Sequence, residues 1–287
     1  KSKPERIATI SWGNQDVVLA LNKVPVGVSK ANFGKLTEEG LAPWTKEAFT
    51  KLDVNHPVVY DDTDGLDFEA IANSKPDVIL ASYSGLTQED YNMLSQIAPV
   101  VAYPHNPWQT YWRQQTLLNA KGMGVESEGE QLVKDTENLI SKKLSDYPQI
   151  KGKTAAFIWV DVSDTSTFYV YLESDPRAAY LTDLGLIFPS SLKEKSAVEN
   201  SFSLTLSLEN ADILNDVDIL VTYGDKNTLS SLQKDSILGK IPAIQRGSVV
   251  VIDSGSELAA SATPTVLSIP ATIDEYLMLL DTAAGKV

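Results

Sequence analysis

The sequence predicts an α/β protein made of two Rossmann-like lobes with mainly parallel sheets, joined by one long α-helix. Near-continuous apolar runs alternate with helical patterns in both halves of the 287-residue chain, which is typical of parallel sheets covered on both faces. Two segments about 140 residues apart also share one pattern, a period far longer than that of a solenoid. A single long amphipathic segment separates the two halves.

The shared pattern is a short helix opened by a glutamate, then a turn, an aspartate, an apolar run and a tyrosine. It covers residues 68–83 in the first half and 208–224 in the second. Two similar α/β lobes that face each other form a cleft, and clefts between domains commonly bind small molecules. We therefore expect a small-molecule site between the lobes.

The first lobe is predicted over residues 1–124. Its apolar runs and helical patterns alternate, with Thr87 as the cap of an amphipathic helix. The predicted strands are 7–10, 24–28, 57–60, 78–81 and 99–103, and two further helices are predicted at 16–21 and 67–73.

The linking helix is predicted over residues 125–150. Ser127 and Glu130 have the spacing of a capping box, and apolar residues recur at helical spacing until Pro148. About twenty residues that rise 1.5 Å each give a helix roughly 30 Å long, which is enough to cross from one lobe to the other. An ordinary packed helix within one domain is the alternative.

The second lobe is predicted over residues 151–287. Strands at 154–160 and 168–172 are expected to pair across the turn Asp164-Thr165-Ser166. A helix over 175–184 is expected to end at Gly185. Two strands at 219–222 and 249–252 and a closing helix at 273–281 complete the predicted lobe.

The composition limits the possible partners and location. A formal net charge of −14 argues against nucleic acid, because binding to phosphates depends on Lys and Arg. No run of apolar residues is long enough to span a bilayer, and the absence of cysteine removes disulfides and thiolate chemistry. The chain begins at Lys1 without a signal peptide, so targeting information is either missing or already removed. Export of the protein and a lipid anchor on the full-length chain both stay open.

Most of the candidate ligand-binding residues lie at or just after the carboxyl ends of predicted strands, because ligands bind outside the carboxyl ends of parallel strands. Aromatic side chains recur there, which favours a bulky, partly apolar ligand, although core packing is the commoner role for any single ring. His105 lies in one of these loops, where a ligand contact and a structural role stay open. The candidates are Trp12, Tyr83, His105, Trp108 and Tyr111 in the first half and Trp159, Tyr169 and Tyr223 in the second.

The chain has only four arginines, and their places along the strands separate them. Arg113 and Arg177 follow strands, so we expect them to face the cleft, where a guanidinium binds an anionic or strongly polar ligand. Pairing of Arg177 with a neighbouring carboxylate is the alternative. Arg6 and Arg246 precede their strands and are expected at the opposite edge.

The sequence carries no recognised catalytic motif. There is no G-x-S-x-G elbow, no Walker loop and no H-E-x-x-H, so we predict neither an enzyme nor a cofactor. With only His56 and His105 as imidazole ligands, we predict no resident metal site either.

Several segments are similar to one family along almost the whole chain. They are 4–8, 68–80, 175–185 and 241–252. The order of these segments is the decisive feature. In it the chain resembles the substrate-binding proteins of ABC importers, specifically the iron–siderophore and vitamin B12 class, whose two lobes are joined by one long helix. The segments 107–110 and 264–270 are most similar to binders of the ferric-enterobactin type.

The resemblance implies an extracytoplasmic monomer, periplasmic or a cell-surface lipoprotein, that captures a ferric siderophore in the cleft and delivers it to a permease dimer. It also implies that one glutamate on each lobe, Glu69 and Glu209, docks onto permease arginines. The alternative is that each is an acidic residue near a helix N-terminus, where the helix dipole favours a negative charge. Basic residues at the predicted site are few, so catecholate, hydroxamate and mixed chelates all stay open.

Other ligands and functions also stay open at this point. Haem or a corrinoid is the main alternative, with Tyr83, Tyr223 or His105 as an axial ligand of haem. An enzyme on the same architecture is less favoured, because fold does not fix function but no catalytic pair is visible. A purely structural surface protein is disfavoured by the aromatic residues at the strand ends.

Overall fold

The computed structural model describes residues 3–161, 163, 166–196 and 201–287. The chain divides into two compact units. Unit 1 comprises Lys1–Asn138 and Pro264–Ala271, and unit 2 comprises Leu139–Thr263 and Thr272–Val287. The predicted bounds of the lobes and of the linking helix stay a prediction.

Unit 1 alternates strands and helices. Its elements are β1 (Ile7–Thr9), α1 (Asn14–Ala20), β2 (Gly27–Ser29), α2 (Pro43–Lys51), β3 (Val59–Tyr60), α3 (Phe68–Asn73), β4 (Val78–Ala81), α4 (Gln88–Ile97), β5 (Val100–Ala102) and α5 (Trp112–Gly122). The next helix, α6 (Glu126–Leu144), carries the chain from unit 1 into unit 2. The predicted α/β fold with a long linking helix is confirmed.

Unit 2 begins with a hairpin and then alternates helices and strands. Its elements are β6 (Ala155–Val160), β7 (Thr167–Tyr171), α7 (Pro176–Asp183), α8 (Ser190–Ser196), β8 (Ser203–Ser207), a 3₁₀ helix (Leu208–Leu214), β9 (Ile219–Gly224), α9 (Thr228–Lys234), a 3₁₀ turn (Leu238–Lys240), α10 (Pro242–Arg246), β10 (Val249–Asp253), α11 (Glu257–Ser261) and α12 (Ser268–Ala284). Its last helix, α12, starts in the segment of unit 1 that ends at Ala271.

The two sheets share one strand order. The sheet of unit 1 runs β3-β2-β1-β4-β5, with every pairing parallel. The sheet of unit 2 runs β8-β7-β6-β9-β10, which is the same order with each strand replaced by its counterpart. Only the pairings of β7 are antiparallel among the described strands. The repeat seen in the sequence is therefore a repeat of topology.

The repeated aspartate has a structural role in both units. The carboxylate of Asp77 accepts hydrogen bonds from the backbone N–H groups of Glu5 and Arg6, each at 3.0 Å. In unit 2 the carboxylate of Asp218 accepts one from the N–H of Thr154 at 2.8 Å. Each aspartate precedes one central strand and binds the chain just before its neighbour, which explains why this residue recurs.

Each sheet buries an apolar core against its helices. In unit 1, Ile71 of α3 and Leu94 of α4 are fully buried against Ile79 of β4. In unit 2, Phe168 of β7 and Leu220 of β9 are part of one fully buried cluster. Among the described residues, no helix combines the length and the apolar character that a membrane crossing requires.

The start of the long helix differs from the predicted capping box. The helix begins at Glu126, and the carbonyl of Val125 accepts the N–H of Gly129 at 3.1 Å, so Ser127 lies inside the first turn and is not the N-cap. The prediction was wrong because Gly124, at φ +68°, turns the chain so sharply after α5 that the next helix starts at once.

The other local predictions have different outcomes. The hairpin of β6 and β7 is confirmed by their antiparallel pairing, while residues 164 and 165 of its turn lie outside the described residues. Thr87 caps α4 as predicted: its hydroxyl accepts the N–H of Asp90, and the carboxylate of Asp90 accepts the N–H of Thr87. Gly185 follows α7 at φ +86°, as predicted for a helix end.

Candidate functional site

In unit 1 the strand order reverses between β1 and β4, and the segments after these strands carry predicted ligand residues. Trp12 follows β1 and is half-buried, whereas Tyr83 follows β4 and is buried. The ring of Tyr83 meets that of Trp108 edge to face, with centroids 5.2 Å apart and planes at 76°. Three of the predicted aromatic residues therefore lie in the loops at the carboxyl edge of this sheet.

The conformation of Trp108 is fixed by its neighbours. Its backbone has φ +60°, which is rare for a residue with a side chain, and its N–H donates to the carbonyl of Ser84 at 3.0 Å. A Cβ at Gly85 would lie 2.4 Å from the indole nitrogen Nε1 of Trp108. Only glycine permits this close approach, so the loop after β4 is shaped to receive the indole.

The remaining candidates of unit 1 differ in their surroundings. His105 and Tyr111 are exposed, and Tyr111 is the N-cap residue of α5. The Nε of Arg113 donates to the carboxylate of Glu137 at 2.6 Å, and its guanidinium carbon lies 4.4 Å from the centroid of the Trp112 ring. The charge of Arg113 is thus balanced within unit 1.

A small pocket beside Trp12 contains a site feature that the sequence analysis missed. Trp44 and Asp16 line this partly open pocket together with Trp12. The carboxylate of Asp16 is fully buried and accepts hydrogen bonds from Trp44 Nε1 at 2.9 Å, from Thr45 Oγ1 at 2.7 Å and from Thr265 Oγ1. These contacts hold α1, α2 and the 264–271 segment of unit 1 together next to Trp12.

Burial raises the pKa of the Asp16 carboxyl above its usual range, and the hydrogen bonds from Thr265, Thr45, Trp44 and Gln15 only partly oppose the shift. The folded state therefore binds more protons than the unfolded state between the unfolded pKa, near 4, and the higher folded pKa. The free energy of unfolding should consequently fall as the pH rises through this window.

The variant Asp16→Asn is expected to remove the part of this fall that Asp16 causes, because an amide does not titrate. Urea unfolding of the wild type and the variant across the acidic range measures the difference. Asp61→Asn is the control: a hydrogen bond from Thr63 and the charge of Lys30 lower the pKa of the exposed Asp61, so its removal leaves the fall in place. An equal slope for Asp16→Asn and the wild type would contradict the prediction.

In unit 2, Trp159 and Tyr169 form an outward-facing aromatic pair. They are partners in the register of β6 and β7, and their ring centroids lie 5.4 Å apart. Trp159 is the one exposed residue of β6, at 39%. The other five residues of β6 are buried, so the indole of Trp159 is the part of this strand that is available to a ligand.

Arg177 forms a buried ion pair beside these strands. Its Nε and Nη2 donate to the two carboxylate oxygens of Asp175 at 2.8 and 2.7 Å, and Asp175, the N-cap of α7, is fully buried. Its guanidinium carbon lies 4.1 Å from the centroid of the Tyr171 ring. Burial opposes the charge of Arg177, but the charge and hydrogen bonds of Asp175, with smaller contributions from Tyr223 and Tyr171, keep the pKa of Arg177 well above its usual value.

Tyr223, at the carboxyl end of β9, is connected to Tyr171 through the ring of Phe157. Its ring packs on Phe157 with centroids 5.0 Å apart, and Phe157 also meets Tyr171 at 5.4 Å. Burial raises the pKa of the Tyr223 hydroxyl. Of the two possibilities left open for Arg177, pairing with a carboxylate is present in the structure.

The two predicted docking glutamates occupy equivalent places. Glu69 is exposed in the first turn of α3, after the edge strand β3. Glu209 is exposed in the first turn of the 3₁₀ helix, directly after the edge strand β8. Strand β8 runs in the same direction as β6. In both units, the glutamate therefore comes after an edge strand that runs parallel to the first strand of its sheet.

The other two arginines, Arg6 and Arg246, bind backbone carbonyl groups. Arg6 donates from Nε to the carbonyl of Lys75 at 2.7 Å, and Arg246 donates from Nη2 to the carbonyl of Asp218 at 2.6 Å. Both arginines thus bind the backbone at the edge of the sheet where the strands begin, opposite their carboxyl ends, as predicted. Within the described ranges, no group of three or more His, Asp and Glu side chains is arranged to hold a metal ion.

Comparison with known proteins identifies the family. The model of the periplasmic binding protein family matches residues 7–255. The chain belongs to this family. As a periplasmic binding protein it binds rather than converts its ligand, so the expectation that it is not an enzyme is confirmed.

Three relatives extend this comparison. The crystal structure of PiaA from Streptococcus pneumoniae TIGR4 in complex with ferrichrome is similar with a TM-score of 0.96 and 54% identity, over 100% of this chain and 95% of that chain. A second structure of PiaA, described as an iron uptake ABC transporter substrate-binding protein, gives 0.92 and 52%, over 99% and 95%. The Fe(3+) dicitrate-binding periplasmic protein FecB of Escherichia coli (strain K12) is 24% identical over 260 residues, covering 88% of this chain and 78% of FecB.

Proposed function

We propose that this periplasmic binding protein is the extracytoplasmic component of an ABC importer and captures a ferric hydroxamate siderophore of the ferrichrome type. The observation that carries the proposal is the likeness to PiaA, which was solved with ferrichrome and is 54% identical over the whole of this chain. The iron is the cargo, and the chelating groups of the siderophore fill its coordination sphere. The protein therefore needs no metal ligand of its own.

The aromatic residues at the strand ends support a bulky ligand. Unit 1 offers Trp12, and the indole of Trp108 set against Tyr83, while unit 2 offers the exposed Trp159 packed on the half-buried Tyr169. Aromatic side chains bury large areas at little cost in conformational freedom, which suits the apolar flank of a chelate. His105 and Tyr111 are proposed as further contacts because both are exposed after the last strand of unit 1.

The charge of the candidate residues supports a neutral or weakly charged chelate. Arg113 is paired with Glu137, and Arg177 is paired with the buried Asp175. A highly anionic tris-catecholate would lose its hydration on binding, and these paired arginines offer no excess of positive charge to compensate for that loss. Burying an uncompensated charge is costly in free energy. A neutral ferric hydroxamate has no such cost. We propose that Arg177, Tyr223 and Arg113 contribute polar and aromatic contacts rather than net charge.

The alternative of haem receives less support. A haem iron would take Tyr83 or Tyr223 as an axial ligand, yet both rings are buried against neighbouring aromatic rings. The exposed His105 has no such barrier, so haemin is included in the binding test. We further propose a monomer, held outside the cytoplasm with or without a lipid anchor, that delivers its ligand to a permease dimer through Glu69 and Glu209.

A tryptophan fluorescence titration tests the proposed ligand class. Ferric ferrichrome is expected to quench the emission saturably at one site per chain, because indole rings line the proposed contact surfaces in both units. Metal-free ferrichrome, a ferric tris-catecholate and haemin are the comparison ligands and are expected to bind at least about tenfold more weakly. Preferential binding of the catecholate, or a Soret band on mixing with haemin, would overturn the proposal.

A further inference from the structure

Asn14 is a fully buried residue at the start of α1 with an unusual number of hydrogen bonds. Its amide nitrogen Nδ2 donates to the carbonyl of Ile10 at 2.8 Å and to that of Tyr83 at 3.0 Å. Its amide oxygen accepts from Ser82 Oγ and from Asn119 Nδ2, each at 3.0 Å. Both ends of one short side chain are thus engaged by groups from three different elements.

Two longer contacts extend this network to Trp12. The amide oxygen of Asn14 also receives the N–H of Tyr83 and the Nε2 of Gln115, both at 3.3 Å. Gln115 Nε2 in turn donates to the carbonyl of Trp12 at 3.0 Å. The network therefore connects the backbone of both loops that carry candidate ligand rings.

The place of Asn14 in the sheet explains why such a connection is needed. The chain leaves β1 and β4 in opposite directions at the reversal of the strand order, so the helices that follow the two strands diverge from this point. The loop after β1 is also sharply turned, with φ +63° at Ser11 and +70° at Gly13. The backbone pairing of the two strands extends to the hydrogen bond from the Ile10 N–H to the Leu80 carbonyl at 3.1 Å, and the side chain of Asn14 continues the connection into the loops.

The chemistry of the site requires an amide. Two carbonyl oxygens face Nδ2, while hydroxyl, amide and backbone N–H donors face Oδ1. An aspartate has the same shape, but it would place a carboxylate oxygen against the carbonyls of Ile10 and Tyr83 and lose both donated bonds. An alanine would leave these buried groups unpaired.

We propose that Asn14 is a positioning residue for ligand binding: it sets the placement of the loops that carry Trp12 and Tyr83, and, through Tyr83, the indole of Trp108. The inference rests on the proposed function, in which Trp12 and the indole of Trp108 contact the ferric chelate. Asn14 itself, buried among protein groups, acts through them.

Two measurements on Asn14→Asp test this role. The dissociation constant for ferric ferrichrome is expected to rise by about tenfold, the consequence of losing buried hydrogen bonds in the network. Fluorine NMR of the ligand-free protein, labelled with fluorotryptophan at its five Trp positions, is expected to show shifted resonances for Trp12 and Trp108. The resonance of Trp159, in unit 2, is expected to stay in place.

Leu94→Ala is the matched control, because it destabilises the core of the same unit, and the cluster that contains Leu94 includes none of Asn14, Trp12, Tyr83 and Trp108. It is expected to leave the dissociation constant within about twofold and the Trp12 resonance unmoved. Unchanged Trp12 and Trp108 resonances in Asn14→Asp, or an equal loss of affinity in Leu94→Ala, would overturn the inference. If the wild type fails to bind ferric ferrichrome, the proposed function is refuted, and the fluorine spectra decide the positioning role separately.

Discussion

Reversing the charge of both Glu69 and Glu209 to lysine is expected to reduce import of the ferric siderophore by about a hundredfold. Both side chains are exposed, and each follows the edge strand of its unit. If they meet permease arginines, the change replaces attraction with like-charge repulsion. The dissociation constant for the siderophore should not change, because neither glutamate belongs to the candidate ligand residues. Uptake of radioactive iron by cells and a binding titration with purified protein measure the two quantities.

The control is the double variant Glu89→Lys with Glu194→Lys. It makes the same change in net charge at one exposed glutamate of each unit. Glu89 also lies in the first turn of a helix, so the variant includes a comparable loss at a helix N-terminus. Normal uptake is expected for this control. Normal uptake in the Glu69 and Glu209 variant would end the docking proposal, and equal loss in both would reduce it to a general charge effect.

Replacing Arg177 with methionine is expected to lower the free energy of unfolding by about 3–5 kcal/mol, because the change leaves the carboxylate of Asp175 buried without its partner. The effect is large because Asp175 is 0% exposed and receives two charged hydrogen bonds from the guanidinium. The stacking of Arg177 on Tyr171 is lost as well. Urea unfolding, followed by circular dichroism, measures the change.

The double variant Asp175→Leu with Arg177→Met separates the buried charge from the packing. It removes both charges and is expected to recover most of the lost stability, except for about 1 kcal/mol from the N-cap bond that Asp175 accepts from the Arg177 N–H. If Arg177→Met alone costs less than about 1 kcal/mol, the pair is not the buried interaction described here.

The fold was largely predictable because both units depend on local patterns. The segments 68–83 and 208–224 share a pattern, and their strands β4 and β9 occupy the same position in two sheets of the same order. Elements without a clear period were missed. Helix α2 begins at Pro43 without a side-chain cap, and β8 is an edge strand in which every residue is half-buried or exposed.

The candidate site was predictable only where the strand-end rule applies. That rule nominated Trp12 and Tyr83 from their positions alone. It gave no indication of the roles of Asp16 and Asn14, which depend on partners far along the chain, such as Thr265 and Asn119. The partner of Arg113, Glu137, lies on a different helix and was equally invisible in the sequence. Which of the aromatic residues contact the ligand stays a prediction.

Native mass spectrometry tests the central claim most directly. The protein is mixed with equal amounts of ferric ferrichrome, a ferric tris-catecholate, haemin and a corrinoid, and the intact complex is weighed. We predict one adduct per chain, with the mass of the ferric hydroxamate including its iron. An adduct with the mass of any of the other three ligands, or a chain that remains without an adduct, would contradict the account.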